Sequence, residues 1–452
     1  MGKWFGTDGV RMVANTELTP ELAFQLGRAG AYILTKEAKT APRVLVGKDS
    51  RLSGDMLEAA LTAGLCSTGA QVFYAGVLPT PAVAFLVRHY KLDAGVMISA
   101  SHNPMADNGI KFFNRHGYKL PDAQEAEIEG MIFAMQADND RLPRPAGKGV
   151  GTTARSEAAI EDYASYLTST APGLNLSGLK VVLDCANGAT SEVAPMVFTK
   201  LGAEVHTLSN KPDGTNINEN CGSTHMENLQ EYVKENGADI GLAFDGDGDR
   251  VLAVSNTGKM IDGDEIMAVC GLDMHERGEL NAIVATVMSN QGLEILCREK
   301  GIELHRADVG DRYVLEKMLA DDLPLGGEQS GHVIFKKFST TGDGILTGLR
   351  LLDIMAKKKQ PISELVSVME SLPQVLVNAT VPNHRKPELE TNPTIKLEQT
   401  KIEKLLAGNG RILVRPSGTE PVVRVMIEGR DNEQILKWAK DLANVIENQL
   451  KH

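Results

Sequence analysis

Cysteine is scarce and scattered. The five residues (Cys66, Cys185, Cys221, Cys270 and Cys297) are odd in number and include no Cys-x-x-Cys pair, so no disulfide framework is expected and a reducing cytoplasm is the fitting compartment. Basic charge is short as well. Lys and Arg number 47 against 59 Asp and Glu, a formal net charge of −12, which leaves no cationic excess to neutralise phosphate backbones and disfavours nucleic acid as the main partner. A long apolar run is missing. Ala59 to Val87 carries no charged residue, but Ser67, Thr68 and Gly69 break its middle and Pro79 and Pro81 its end, so it reads as helix, turn, strand and loop rather than a membrane span. Asp8 and Arg11 fall where an export signal would need its apolar core, so no export signal is expected. Also absent are a Gly-x-x-x-x-Gly-Lys-Ser/Thr phosphate loop, a Gly-x-Gly-x-x-Gly dinucleotide fingerprint and a His-Glu-x-x-His zinc pair. ATP and NAD chemistry of the usual kinds is therefore disfavoured.

Glycine, by contrast, is plentiful: 44 of 452 residues, above the roughly 7% norm, which suggests many tight turns and loops that approach a ligand closely. Strand-like and helix-like patterns alternate through about the first 340 residues, the mark of βα units in a mostly parallel sheet. A helix is expected from Thr19, a capping residue followed by Pro20 and Glu21. Strands follow at Arg43 to Gly47, Ala70 to Gly76 and Ala94 to Ser101. The same three-part phrase returns in Lys180 to Thr190, Gly202 to Leu208 and Ala238 to Arg250. It returns more faintly in Ala282 to Gly292, Gly301 to Asp311 and Leu323 to Phe335. Each copy ends a strand in a polar loop, SASHNP, DGDGDR or GEQSGH, the last two containing glycine. Ligands of open α/β sheets bind beyond the carboxyl ends of strands, so the three loops are expected to face one cleft.

At roughly 150 residues per domain the length gives about three domains, but the boundaries argue for four. Asp138 to Glu157 has a linker composition, a second break lies near Asn256 and Gly258, and the pattern changes after Lys357, Lys358, Lys359 and Pro361. The tail then holds strands at QVLVNATV, RILVRP and VVRVMIEG, a polar stretch to about Pro393, and a helix from about Asn432 to Leu450. The expected architecture is α/β: three related mixed or parallel-sheet domains (1–150, 158–255 and 256–370) plus a smaller C-terminal α+β domain (371–452) around a central cleft.

Within the loops, Asp245, Asp247 and Asp249 alternate with glycines before Arg250. Alternate carboxylates share one side of an extended segment, and three hard oxygens suit Mg²⁺. An EF-hand would need Gly and Glu where Arg250 and Asn256 stand; an acidic surface turn is the plain alternative. Ser101, at the tip of an apolar strand before His102, Asn103 and Pro104, reads as a nucleophile or phosphorylation site, or else as a cap. Arg415, Ser417, Gly418, Thr419 and Arg424 form a phosphate cradle or an ordinary hairpin. Glu328, Ser330 and His332 suit sugar hydroxyls or a surface turn. Arg11 and Lys111 are cations for a transferring phosphoryl group, or solvated side chains.

The loops FGTDGVR, GKDSRLSG, ISASHNP, NGIKFF, DGDGDR, VGDRYV, GGEQSGH and RPSGTEP, in this order and across the whole chain, resemble the α-D-phosphohexomutase superfamily. ISASHNPMADNGIKFF with GGEQSGH, which carries Gln329, most resembles its bacterial branch acting on glucosamine phosphates. The resemblance implies an intramolecular phosphotransferase of amino-sugar metabolism, cytoplasmic, interconverting glucosamine 6-phosphate and glucosamine 1-phosphate for UDP-N-acetylglucosamine and peptidoglycan precursors. It implies a phosphoserine at Ser101, Mg²⁺ held by Ser101, Asp245, Asp247 and Asp249, and a 1,6-bisphosphate sugar as intermediate. Arg11, His102 and Lys111 would serve the transfer, with the proton carrier open between His102 and Lys111. Arg250, Gly310, Asp311, Glu328, Ser330 and His332 would line the sugar, and Arg415, Ser417, Gly418, Thr419 and Arg424 the phosphate that is not reacting. A phosphomannomutase or phosphoglucomutase is the alternative, and a non-catalytic sugar-phosphate sensor the more distant one. A sugar phosphate is the expected partner, without nucleic acid or membrane; a homodimer and an activating kinase are left open. Two positions depart from the superfamily pattern: Met12 stands where Gly is usual, and Lys48 where many members have Arg.

Overall fold

The computed structural model describes residues 4–6, 8–36, 41–417 and 420–451. They form two compact units, Met1–Met288 with Glu303–Ser367, and Ser289–Ile302 with Val368–His452. The first unit carries three sheets that repeat one arrangement. In the first, Ala94–Ile98, Arg43–Lys48 and Gln71–Val77 lie side by side and parallel, with Asp107–Asn114 antiparallel beside Ala94–Ile98. In the second, Ile240–Phe244, Lys180–Asp184 and Glu204–Leu208 stand in the same order, with Val251–Ser255 antiparallel. In the third, Leu325–Gly327, Ala282–Thr286 and Glu303–Ala307 do so with Val333–Phe335. Each SASHNP, DGDGDR or GEQSGH loop therefore sits at the same address, between the last parallel strand of its copy and the antiparallel strand that follows.

The helices form where capping and burial agree. The Thr19 hydroxyl accepts the Leu22 N–H, Pro20 opens the helix Pro20–Leu34, and Leu22 and Leu26 face a core shared with Leu57, Leu61, Leu65, Val96 and Ile128. Such a cap contributes about 1 kcal/mol; burying five or so leucines outweighs it several-fold. All five residues of Ala94–Ile98 and of Ile240–Phe244 are buried, as expected of strands covered on both faces. The uncharged stretch from Ala59 to Val87 becomes the end of the helix Gly54–Ser67, the strand Gln71–Val77 and most of the helix Thr80–His89. No helix among the described residues is long and apolar enough to cross a membrane.

The structure departs from the sequence reading in several places. The linker composition of Asp138 to Glu157 hides an edge strand, Thr153–Arg155, which pairs parallel with Val72–Tyr74. Its start is held by the buried Arg28 guanidinium, which donates to Asp140 and the Leu142 carbonyl. The first sheet also gains Phe5–Gly6 and Gly9–Val13, the latter antiparallel to Asp107–Asn114. Met12 lies mid-strand opposite Asn108 and packs on the first core, so glycine's freedom is not needed there.

In the second unit, Gln374–Thr380, Val422–Glu428 and Arg411–Pro416 make an antiparallel sheet with Val422–Glu428 at its centre. The helix Asn432–Leu450 covers one face through Ile435, Ala439, Leu442 and Ile446. An unanticipated helix, Pro393–Leu406, follows the polar stretch, capped by the Asn392 side chain with Pro393 at its first turn. The buried Glu428 carboxylate accepts from Arg411 Nε (2.5 Å) and from the Gln291 N–H (3.1 Å), tying the helix Gln291–Lys300 to this sheet.

Candidate functional site

The three loops of the first unit meet. Ser101 Oγ donates to Asp245 Oδ2, His332 Nδ1 lies 3.6 Å from Asp249 Oδ2, and Lys119 Nζ bridges from Asp8 to Asp311 Oδ2 (2.5 Å). Asp245, Asp247 and Asp249 are all buried, and one oxygen from each lies within 4.8 Å of the others. They converge by a turn, which corrects the extended-segment reading. Gly248 adopts φ +68°, and a Cβ on Gly246 would come within 2.5 Å of the Ser101 carbonyl oxygen, so this approach of the two loops requires glycine.

Three buried carboxylates this close repel one another. Burial, then Asp249 and Asp247, push the Asp245 carboxyl well above the usual range. Burial and Asp249 also push Asp247 up, but Lys111 and Thr80 outweigh them and hold it low. Lys111 Nζ sits 2.8 Å from Asp247 Oδ2, 2.9 Å from Asp8 Oδ2 and 3.7 Å from Asp249 Oδ2. Burial works against its ammonium, but Asp247, Asp8 and Asp249 outweigh that and favour the charged form. Lys111 reaches this point because it lies mid-strand in Asp107–Asn114, paired with Met97. Asp247 Oδ1 and Asp249 Oδ1 are buried without a hydrogen-bond partner. Two orphaned carboxylate oxygens beside a third carboxylate fit a hard divalent cation.

Ser101 is fully buried with φ +52°. His102 Nδ1 lies 3.4 Å from its Oγ, and burial, followed by Arg250 and Arg11, pushes the imidazole down to about 4. Arg11 pairs with Asp8, and the Arg250 N–H donates to Asp245 Oδ1 (3.1 Å). In the third loop, Glu328 Oε1 accepts the Gly310 N–H (3.0 Å), and the Ser330 hydroxyl faces Oε2 at 3.4 Å. His332 Nε2 accepts the Gly342 N–H (2.8 Å), leaving Nδ1 to carry the proton toward Asp249. Burial lowers its basicity, but Asp249 and Asp311 outweigh that and raise it overall.

Sequence reasoning passed over Asp8, Thr80 and Lys119, whose carboxylate, hydroxyl and ammonium complete the network. Asp8 lies in FGTDGVR, a motif from which only Arg11 was singled out; Lys119 and Thr80 carry no local signal. Lys48 turns from the serine loop to Asp55 and Glu58 (2.5 and 2.6 Å).

In the second unit, Arg415 and Arg424 face each other across the strand pair, an arrangement that repels unless an anion is shared. Arg424 pairs with Glu420 (2.9 Å), the Ser417 hydroxyl accepts the Glu420 N–H, and Lys386 Nζ, unforeseen from sequence, donates to the Ser417 and Glu420 carbonyls. Gly418 and Thr419 lie outside the described residues.

Four family models match the chain, those of phosphoglucomutase/phosphomannomutase alpha/beta/alpha domain I (residues 2–139), domain II (161–258) and domain III (262–372) and the C-terminal domain (376–445). A phosphoglucosamine mutase of Ruminiclostridium cellulolyticum is 56% identical over 100% of both chains. A phosphoglucomutase/phosphomannomutase family protein of Burkholderia thailandensis is 26% identical with a TM-score of 0.82, covering 98% of this chain and 97% of that one. The fold is shared too by an Aspergillus fumigatus N-acetylphosphoglucosamine mutase in complex with GlcNAc-6P and magnesium, at a TM-score of 0.67 and 18% identity over 99% of this chain and 96% of that one. The chain belongs to the phosphoglucomutase/phosphomannomutase family, the α-D-phosphohexomutases, and is an isomerase that acts as an intramolecular phosphotransferase.

Proposed function

We propose that the protein interconverts glucosamine 6-phosphate and glucosamine 1-phosphate through a phosphoserine at Ser101. The observation that carries this reading is the Ser101 hydroxyl on Asp245 at the edge of three buried carboxylates, two of which have oxygens without a partner. The full-length similarity to a phosphoglucosamine mutase favours the amino sugar. Asp245, Asp247 and Asp249 would hold Mg²⁺ together with a phosphoserine oxygen. Bound there, the ion supplies positive charge that offsets the phosphoryl oxygens during transfer.

Phosphoryl transfer is mainly positioning and charge stabilisation. The bond from phosphorus to Ser101 Oγ breaks as one forms to the C1 oxygen of glucosamine 6-phosphate, giving a 1,6-bisphosphate. The hydroxyl proton passes to His102, whose imidazole faces Ser101. Lys111, fixed among three carboxylates, and Arg11 act as standing cations. The intermediate turns end for end, Ser101 takes the phosphoryl group from C6, and that oxygen regains a proton. Glu328 and Ser330 take sugar hydroxyls, with Arg250, Gly310, Asp311 and His332 lining the same site. Arg415, Ser417 and Arg424 are the second unit's candidates for gripping a phosphate.

The test pairs Ser101→Ala with intact-mass measurement of the wild-type protein. Deleting a covalent nucleophile is expected to lower turnover by about 10³-fold or more, with one added phosphoryl group on the primed wild type and none on the variant. Near-normal turnover by Ser101→Ala would sink the phosphoserine. A kcat/KM higher for mannose or glucose 6-phosphate would move the substrate to a neutral sugar, and binding without isomerisation after priming would support a sensor.

A further inference from the structure

We propose that Arg51 and Asn218 are positioning residues for Ser101, one from each of the first two repeats, that hold its backbone where the hydroxyl meets Asp245. The inference rests on Ser101 being the phosphoryl carrier. A serine at φ +52° occupies a conformation that L-residues visit sparsely and that persists only when its surroundings impose it. Here two side chains do so.

Arg51 is buried, and its guanidinium is spent on the main chain of the serine loop. Nη2 donates to the carbonyls of Ser101 (2.9 Å) and Asn103 (2.8 Å), and Nη1 to those of Asp107 (3.0 Å) and Pro104. Its Nε is held 2.9 Å from Asp49 Oδ2. The same carboxylate accepts from Ser99 Oγ (2.6 Å), which in turn accepts the Ser101 N–H (2.9 Å). From the second repeat, Asn218 Nδ2 donates to the same Ser101 and Asn103 carbonyls at 2.8 and 3.0 Å. Asn218 is itself at φ +59°, with its N–H on the Ala186 carbonyl. The Ser101 carbonyl thus receives one donor from its own repeat and one from the repeat that supplies the Asp trio. Neither side chain bonds to Ser101 Oγ. They act through the backbone, and alignment is what this chemistry depends on: a misplacement of about 1 Å costs on the order of 10²-fold.

Asn218→Ala removes the second clamp, while Asn218→Asp keeps the volume and loses the donor. Both are expected to lower kcat by about 10²-fold with KM for glucosamine 6-phosphate little changed. Uptake of a phosphoryl group by Ser101 from glucosamine 1,6-bisphosphate, followed by intact mass, should slow in parallel. Arg51→Lys should behave in the same way, because one ammonium cannot serve four carbonyls. Wild-type kcat in Asn218→Asp would overturn the proposal, since it would assign Asn218 only space-filling. A lowered kcat with unslowed phosphoryl uptake would overturn it as well. Ser101→Ala separates the two levels: if it is inactive while the Asn218 variants turn over normally, only the clamp fails, and if it is active, the phosphoserine reading fails first.

Discussion

The Asp245–Arg250 and Glu328–His332 loops occupy the same address in their repeats, and chemically they are opposites. The first concentrates three buried carboxylates, leaves two oxygens without a hydrogen-bond partner, and draws counter-charge from Lys111 of another repeat as well as from its own Arg250. The second has one carboxylate, whose oxygens already face the Gly310 N–H and the Ser330 hydroxyl. Topology supplies the address and the side chains decide the use. A loop of unbalanced like charge stores electrostatic repulsion that a cation relieves, whereas a loop whose polar groups satisfy each other can exchange those bonds for sugar hydroxyls at little net cost.

The sharpest way to break this contrast is to remove charge from the first loop. Asp247→Asn, which weakens both the Lys111 contact and the orphaned oxygen, is expected to lower kcat by roughly 10²- to 10³-fold, the scale of losing one transition-state electrostatic contact. Chelation of the wild type should abolish turnover and added Mg²⁺ restore it; activity that survives thorough chelation would show that the carboxylates serve without an ion. In the second loop, Glu328→Gln keeps the shape and weakens the acceptor. Its expected loss is smaller, roughly 10- to 100-fold in kcat/KM, the scale of one misfit polar contact in a buried site. Chelation should act on it as on the wild type. Equal losses in the two variants would erase the distinction drawn between the loops.

A third expected effect is on stability rather than turnover, in the segment that follows the strand Val333–Phe335. The Gly344 N–H donates to the Gly248 carbonyl, and Asp343 caps the helix Gly344–Lys358 while accepting the Tyr163 hydroxyl (2.8 Å). Burial pushes its carboxyl up to about 6. The folded state thus keeps this proton longer than the unfolded chain, whose aspartates titrate near 3.9. The group's contribution to stability is full below about pH 4 and is lost as pH rises through about 6. Asp343→Asn, also a competent cap, should therefore gain on the wild type across that window, by at most about 3 kcal/mol. Denaturant unfolding of both proteins at pH 4 and pH 7 measures it, and a constant difference between them would exclude the assignment.

How much of this was legible depends on the range of the interaction. The Thr19 cap, the buried strands and the threefold repeat are carried by neighbouring residues, and they appear in the structure where local chemistry puts them. Asn392 and Pro393 announced the helix Pro393–Leu406 by the same rule, although the polar sequence around them masked it. Thr153–Arg155 could not be seen, because an edge strand of three exposed residues has no periodicity and exists only through its pairing with Val72–Tyr74. The carboxylate trio was readable as a candidate cation site, but its convergence by a turn at Gly248, rather than by strand alternation, was not.

By itself the sequence determined the α/β alternation and the repeated phrase, and it marked Ser101, Asp245, Asp247, Asp249 and Glu328 as candidates, since these are matters of residue type and order along one chain. Only the tertiary structure decided what neutralises the carboxylates and what holds the serine. Lys111 and Asp247 are 136 positions apart, and Asn218 and Ser101 are 117. Contacts across such distances come from how whole sheets pack, and nothing in the flanking residues encodes them.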